Sequence, residues 1–124
     1  MVSAGEKGTL EVRRQDCVAL IRMVGEHDMA TVADLGEVIG EQVAAGDGVV
    51  VSLMDATFID SSVVRELYRG DSALREEGRR LVLHVATASI VKRVLEISAL
   101  SAALPCTGSL DEAIRMAAAR EDAP

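Results

Sequence analysis

Hydrophobic positions recur along this chain with two different periods that alternate from segment to segment. Leu10 and Val12 alternate with Glu11 and Arg13, and after Arg14, Gln15 and Asp16 the stretch from Cys17 to Val24 is apolar at nearly every position. Alternation marks a half-exposed strand and an unbroken apolar run a buried one, so this part reads as a hairpin from an edge strand into the interior of a sheet. From Ala30 to Ala45 the period lengthens: Val32, Leu35, Ile39 and Val43 fall at spacings of three and four, with Gly46 as a stop signal. That spacing predicts an amphipathic helix. Val49, Val50, Val51, Ser52, Leu53 and Met54 form a β-branched run too brief for a core helix, and predict a central strand. A loop follows, and Asp60, Ser61 and Ser62 then carry helix-start signals.

The second helix is expected to turn Val64, Leu67, Tyr68 and Leu74 inward and Arg65, Arg69, Arg75 and Glu76 outward, and to end at Gly78. Leu81 to Ala86 predicts the next strand. Ser89 can cap a helix whose face is Ile90, Val91, Val94 and Leu95, Leu100 to Cys106 offers a last short strand, and Ser109 caps a final helix carrying Leu110, Ala113, Ile114 and Ala117. Strands alternating with helices imply an α/β fold. The expected form is a single domain with a mostly parallel four- to five-stranded sheet of right-handed βαβ units, an N-terminal hairpin and about four helices. Residues 1–8 read as an N-terminal extension, 9–118 as the domain and 119–124 as a C-terminal tail.

Composition narrows the function. Thirteen Lys plus Arg stand against twenty Asp plus Glu in 124 residues, a net charge of −7. A chain of this size buries roughly two-thirds of its extended surface, so its apolar residues fill a core without help from a metal or a disulfide. One Phe, one Tyr and no Trp, together with the negative charge, remove the stacking platforms and the cationic field of nucleic-acid binders. No apolar run approaches the roughly 20 residues that span a bilayer, and Met1 to Leu10 is polar, which leads to the expectation of a soluble, cytoplasmic protein without membrane insertion. Cys17 and Cys106 lie far apart, outside any CxxC or Cys/His cluster, and are expected to be reduced small hydrophobes, with a redox pair as the other reading. His27, in the turn after the second strand, and His84, inside a strand, are isolated and read as structural.

The sequence holds no GxGxxG after a strand, no P-loop, no GxSxG and no HExxH, so no catalytic, cofactor or metal site is expected. A phospho-accepting receiver domain would place an acidic residue as Asp55 is placed, but would also need an acidic pair after its first strand and a Lys after its last, and both are missing. The informative stretch is Thr57 to Val63, between a strand and a helix. A hydroxyl at Ser61 or Ser62 would sit at the positive end of the helix dipole, where backbone N–H groups receive either a capping oxygen or a phosphate. Charge adds a second clue: between Arg22 and Arg65 lie Glu26, Asp28, Asp34, Glu37, Glu41, Asp47, Asp55 and Asp60, without a single Lys or Arg. In a parallel sheet the loops after the second and the central strands emerge at the same carboxyl end, which brings Asp28 near Asp60 and the serines. The result is an acidic rim, either a solvated face or a surface that steers a basic protein partner.

These residues also carry a family resemblance. Gly25-Glu26-His27-Asp28 after one buried strand, Phe58-Ile59-Asp60-Ser61-Ser62 after another, and Ala88 to Leu95 followed by Ser98 and Leu100 resemble the STAS domain, specifically the bacterial anti-sigma factor antagonists, from about Thr9 to Ala118. The resemblance implies a STAS-like fold and a regulatory, non-enzymatic role without a cofactor. It implies Ser61 as a phosphorylation site, with Ser62 as second choice, and a partner surface of Glu26, His27, Asp28, Asp60, Ser61, Ser62 and Val63. The implied partner is an anti-sigma factor with a histidine-kinase-like ATPase fold, which the unphosphorylated antagonist binds to free a sigma factor. That partner, acting as kinase, phosphorylates the antagonist, and a serine phosphatase resets it. Family members usually carry Gly where this chain has Val63, and a β-branched residue there is expected to restrict the backbone and crowd the approach to Ser61. Three alternatives stay open: a non-phosphorylated antagonist, for example under redox control, a STAS subunit of a membrane-transport ATPase assembly, and a nucleotide sensor at the same loops.

Overall fold

A hairpin opens the fold, as the alternation followed by an unbroken apolar run requires. The computed structural model of the chain describes residues 8–86, 88–97 and 104–119. In chain order the elements are β1 (Thr9–Gln15), β2 (Val18–His27), α1 (Met29–Ala45), β3 (Gly48–Ser52), β4 (Ala56–Ile59), α2 (Ser61–Glu76), β5 (Leu81–His84), α3 (Ile90–Ile97), β6 (Cys106–Thr107) and α4 (Leu110–Ala118). The strands form one sheet in the order β1-β2-β3-β5-β6, with β1 antiparallel to β2 and the other pairs parallel.

The sixth strand, β4, differs from the expected loop. Val18 to Arg22 of β2 pair with β3, and Gly25 to His27 of the same strand pair with β4, which takes over along β2 where β3 has ended. The register slips between Gly25 and Glu26. Gly25 absorbs the slip at φ 87°, a left-handed conformation open to glycine without a Cβ penalty, while its N–H bonds the Asp55 carbonyl at 3.0 Å. β4 has four residues and exposes Thr57 and Phe58, so it lacks the apolar run by which a strand is recognised.

Two apolar layers follow from the strand period of two. Ile21, Met23, Val49, Val51 and Leu83 face Leu35 and Ile39 of α1, Val63, Val64, Leu67 and Leu74 of α2, and Val91 and Leu95 of α3. Val18, Val50 and Val82 point the other way, onto Ala113 and Ala117 of α4. A strand buried on both sides has no polar face to show, which explains the continuous apolar runs. Two expected inward residues are corrected: Tyr68 is exposed, because Leu67, Asp71 and Leu74 define the buried stripe of α2, and Ile90, the first residue of α3, is 71% exposed. β5 ends at His84 rather than Ala86. Of the expected last strand only Cys106 remains in β6, and Leu100 and Ser98 lie outside the described residues.

The amino end of the sheet is tied by charge. Arg79, 2% exposed, donates through Nη2 to the carbonyls of Cys17 (3.1 Å) and Ala117 (3.3 Å), so the negative end of α4 helps to neutralise a buried cation. Arg14 pairs with Asp47. Asp71, 1% exposed on α2, accepts from Arg80 Nε (3.1 Å) and Nη2 (3.2 Å) and from the Leu81 N–H (2.9 Å), which fixes where β5 begins. Asp71→Ala leaves the buried Leu81 N–H without its acceptor and removes a bidentate partner of Arg80, and is expected to cost about 3 kcal/mol. Urea unfolding should show a lower midpoint at an unchanged slope, with Asp71→Asn, which keeps one acceptor, losing less.

Candidate functional site

β2 and β4 run parallel and end side by side, so the two helices that follow them start side by side. The Asp60 N–H donates to the His27 carbonyl at 3.2 Å, joining the two starts directly. Asp28 caps α1, its carboxylate accepting from the Ala30 N–H at 2.9 Å. Asp60 caps α2, accepting from the N–H groups of Ser62 (3.0 Å) and Val63 (3.3 Å). Each carboxylate therefore satisfies N–H groups that the helix itself leaves open, at the positive end of the dipole.

This arrangement sets the two serines in different surroundings. The cap is Asp60, and neither serine serves as one. Ser62 is half-buried and its hydroxyl donates to Asp60 Oδ1. Ser61 is the first residue of α2, is exposed, and its hydroxyl makes no hydrogen bond among the described residues. The crowding expected from Val63 does not arise, because that side chain is fully buried and packs into the core beneath the helix.

His27 also differs from its expected place. It is the last residue of β2, not a turn residue, and is 0% exposed. Its Nε2–H donates to the Val24 carbonyl (3.0 Å), and its Nδ1 faces Thr31 Oγ1 at 3.3 Å, whose hydroxyl donates to the Asp28 carbonyl (3.0 Å). Gly8 lies so close that a Cβ there would stand 2.5 Å from the ring. Burial pushes the imidazole below its usual 6.5, outweighing the opposing effects of the Val24 carbonyl and of the Asp28 charge. His27 is thus a neutral support under the site, and its side chain, like that of Val63, is not on the surface.

What remains exposed is a mixed patch. Glu26 stands opposite Phe58 in the β2–β4 register, and both are exposed, as are Asp28 and Met29, the latter at 75%. Sequence reasoning overlooked Met29 and Phe58 as surface residues, although Met29 directly follows the capping Asp28 and Phe58 stands two residues before the capping Asp60. The eight acids do not form one rim: Asp55 pairs with Arg22 at 2.7 Å, Asp47 lies at the opposite end of the sheet, and Asp34, Glu37 and Glu41 run along α1.

The remaining candidates are structural. His84 Nδ1 lies 3.0 Å from Ser52 Oγ, a bond between neighbouring strands. Cys17 is exposed rather than buried. Three strand spacings of about 4.8 Å separate β2 from β6, so Cys17 and Cys106 lie beyond the roughly 7 Å a disulfide can bridge. Burial pushes the Cys106 thiol up, against the pull of Lys92. Among the described residues no group of three or more His, Cys, Asp or Glu could hold a metal ion, and no helix is long and apolar enough to cross a membrane.

The fold that sets these two acid-capped helix starts side by side is shared with solved anti-sigma factor antagonists. An anti-sigma factor antagonist from Mycobacterium paratuberculosis superposes with a TM-score of 0.79 at 25% identity, covering 94% of this chain and 98% of its own. SpoIIAA in its unphosphorylated form gives 0.73 at 21% identity, covering 86% and 93%. The Bacillus cell fate determinant SpoIIAA in the phosphorylated form gives 0.66 at 20%, covering 86% and 97%. The chain belongs to the STAS domain family, whose model matches residues 9–113. Comparison by sequence with curated proteins finds no match.

Two outcomes follow from this geometry. Asp60→Ala is expected to cost about 1–2 kcal/mol through the lost cap, and Ser61→Ala to stay within about 0.5 kcal/mol of the wild type, both read by urea unfolding. The unfolded chain protonates His27 more readily than the folded one, so its contribution to stability is full above about pH 6.5 and declines as pH falls below it. The unfolding midpoint of His27→Gln should therefore fall less steeply than that of the wild type between pH 7 and 5.

Proposed function

We propose that this chain is an anti-sigma factor antagonist switched by phosphorylation of Ser61. In this reading the exposed residues Glu26, Asp28, Met29, Phe58 and Ser61, with the half-buried Asp60 among them, dock in the cytoplasm on an anti-sigma factor with a histidine-kinase-like ATPase fold, and docking releases a sigma factor. The observation that carries the reading is the division of labour between the serines. The Ser62 hydroxyl is held by Asp60, whereas Ser61 is exposed at the start of α2 and its hydroxyl makes no hydrogen bond among the described residues. Met29 and Phe58 supply apolar contact area, which a rim of carboxylates alone would lack. The likeness to SpoIIAA, known in an unphosphorylated and a phosphorylated form, supports a switch of this kind on the same fold.

The chemistry is transfer of the γ-phosphoryl group of ATP to Ser61 Oγ, with ADP and the hydroxyl proton leaving. The chain is the substrate of this step, and a serine phosphatase would reverse it by hydrolysis. A phosphate adds about −1.5 to −2 charges beside Asp60 and near Asp28, and the repulsion and desolvation it causes disfavour a docked complex. Each ~1.4 kcal/mol of such penalty weakens binding tenfold. Calorimetric titration of the kinase-like anti-sigma factor of the same organism should show tight binding by wild type and Ser61→Ala and at least tenfold weaker binding by Ser61→Glu. Incubation with that partner and ATP should add one phosphate to the wild type and none to Ser61→Ala by intact mass. Equal binding by both variants with no added mass would remove the switch.

A further inference from the structure

A second surface lies beside the first and does not use Ser61. Where β1 begins, the chain passes over α1 and leaves a groove of about 310 Å³ lined by Gly8 and Leu10 on one wall and by Thr31, Asp34, Glu37, Val38 and Glu41 on the other. Its floor is apolar: Leu10 and Val38 are partly buried against the main core. Its helical wall carries three exposed carboxylates, and none of them has an ion-pair partner among the described residues. By contrast Asp28 and Asp60 are engaged as caps and Asp47 and Asp55 in ion pairs, so these three acids, with Glu26, are what remains of the acidic stretch without a structural duty.

The shape of the groove depends on one close approach. A Cβ at Gly8 would stand 2.3 Å from the Glu26 carbonyl oxygen and 2.5 Å from the His27 ring, so only glycine lets the chain lie flat enough against β2 to form that wall. An apolar floor with a one-sided row of unpaired carboxylates is matched by one kind of occupant. Apolar side chains of such a segment can pack on Leu10 and Val38 while the charged heads of its long basic side chains meet Asp34, Glu37 and Glu41.

We propose that the groove between the start of β1 and α1 docks a basic amphipathic segment of a partner protein, in which leucine-like residues face Leu10 and Val38 and arginines or lysines face the α1 carboxylates. The inference is independent of the reading of Ser61, since the groove shares no residue with the exposed serine patch. Docking here is therefore insensitive to the charge on Ser61 and sensitive to salt.

The test uses the isotope-labelled full chain and a synthetic amphipathic peptide of alternating leucine and arginine turns. Two control peptides carry glutamate in place of arginine, or lysine without any leucine. The leucine–arginine peptide should saturate with amide shift changes confined to Gly8, Leu10, Thr31, Asp34, Glu37, Val38, Glu41 and their neighbours. It should bind the Glu37→Lys/Glu41→Lys variant at least about tenfold more weakly and Ser61→Glu unchanged. Glu37→Gln/Glu41→Gln, which keeps size and helix preference, should show a smaller loss in the same direction. Absence of binding, shifts scattered over acids elsewhere on the molecule, equal binding by the oligolysine control, or an unchanged affinity in both charge variants would each overturn the proposal. Loss of binding in Ser61→Glu alone would do so as well, and would assign the peptide to the serine patch.

Discussion

One backbone hydrogen bond, from the Asp60 N–H to the His27 carbonyl, governs the geometry of the functional end of this domain. It joins the end of β2 to the end of β4, and each strand passes straight into a capped helix. Because the strands are parallel, the two caps come to the same level, and the two positive helix ends lie next to each other with a carboxylate on each. The hydroxyl two residues past the α2 cap is captured by the cap carboxylate, and the one directly after the cap is left outside. The register of β4 on β2, with its slip at Gly25, therefore selects which hydroxyl is available.

Support for that bond comes from a polar group in an apolar place. His27 sits in the layer between the sheet and α1, neutral, donating to the Val24 carbonyl and facing the Thr31 hydroxyl, so it fills the space behind the junction without bringing a charge into it. The opposite end of the sheet uses a different solution. There Arg79 stays buried among carbonyl oxygens, and Asp71 gathers Arg80 and the Leu81 N–H. Buried charged side chains are thus kept at the end of the molecule remote from the serines, where they set strand starts, and the serine end relies on a buried neutral imidazole and on carboxylates nearer the surface.

Most of the architecture was legible because it rests on period and punctuation. The strands that feed two cores read as unbroken runs, α1 and α2 show helical spacing, and Gly46 ends α1 where expected. The juxtaposition of Asp28 and Asp60 followed from the rule that loops after parallel strands meet at one end. What the sequence hid was decided by a single turn of rotation or by non-local pairing. β4 is a strand only because β2 extends past β3 and offers it a free edge, which no local pattern in Ala56–Ile59 announces. Tyr68 fell on the other side of its helix than a count of apolar positions suggested, Val63 is buried where the resemblance implied a surface residue, and Cys17 is outside the core because the hairpin turn includes it and ends one residue later than its apolar neighbours imply.

The buried position of Val63 has a mechanical consequence. Unwinding the first turn of α2 would pull this side chain out of the core and into water, a transfer worth about 1.5–2 kcal/mol before any hydrogen bond is counted. A glycine in its place would let the turn fray at no such cost. Valine thus acts as an anchor that resists fraying of the first turn of α2, so Ser61 is presented on a folded helical turn rather than on an extended strand.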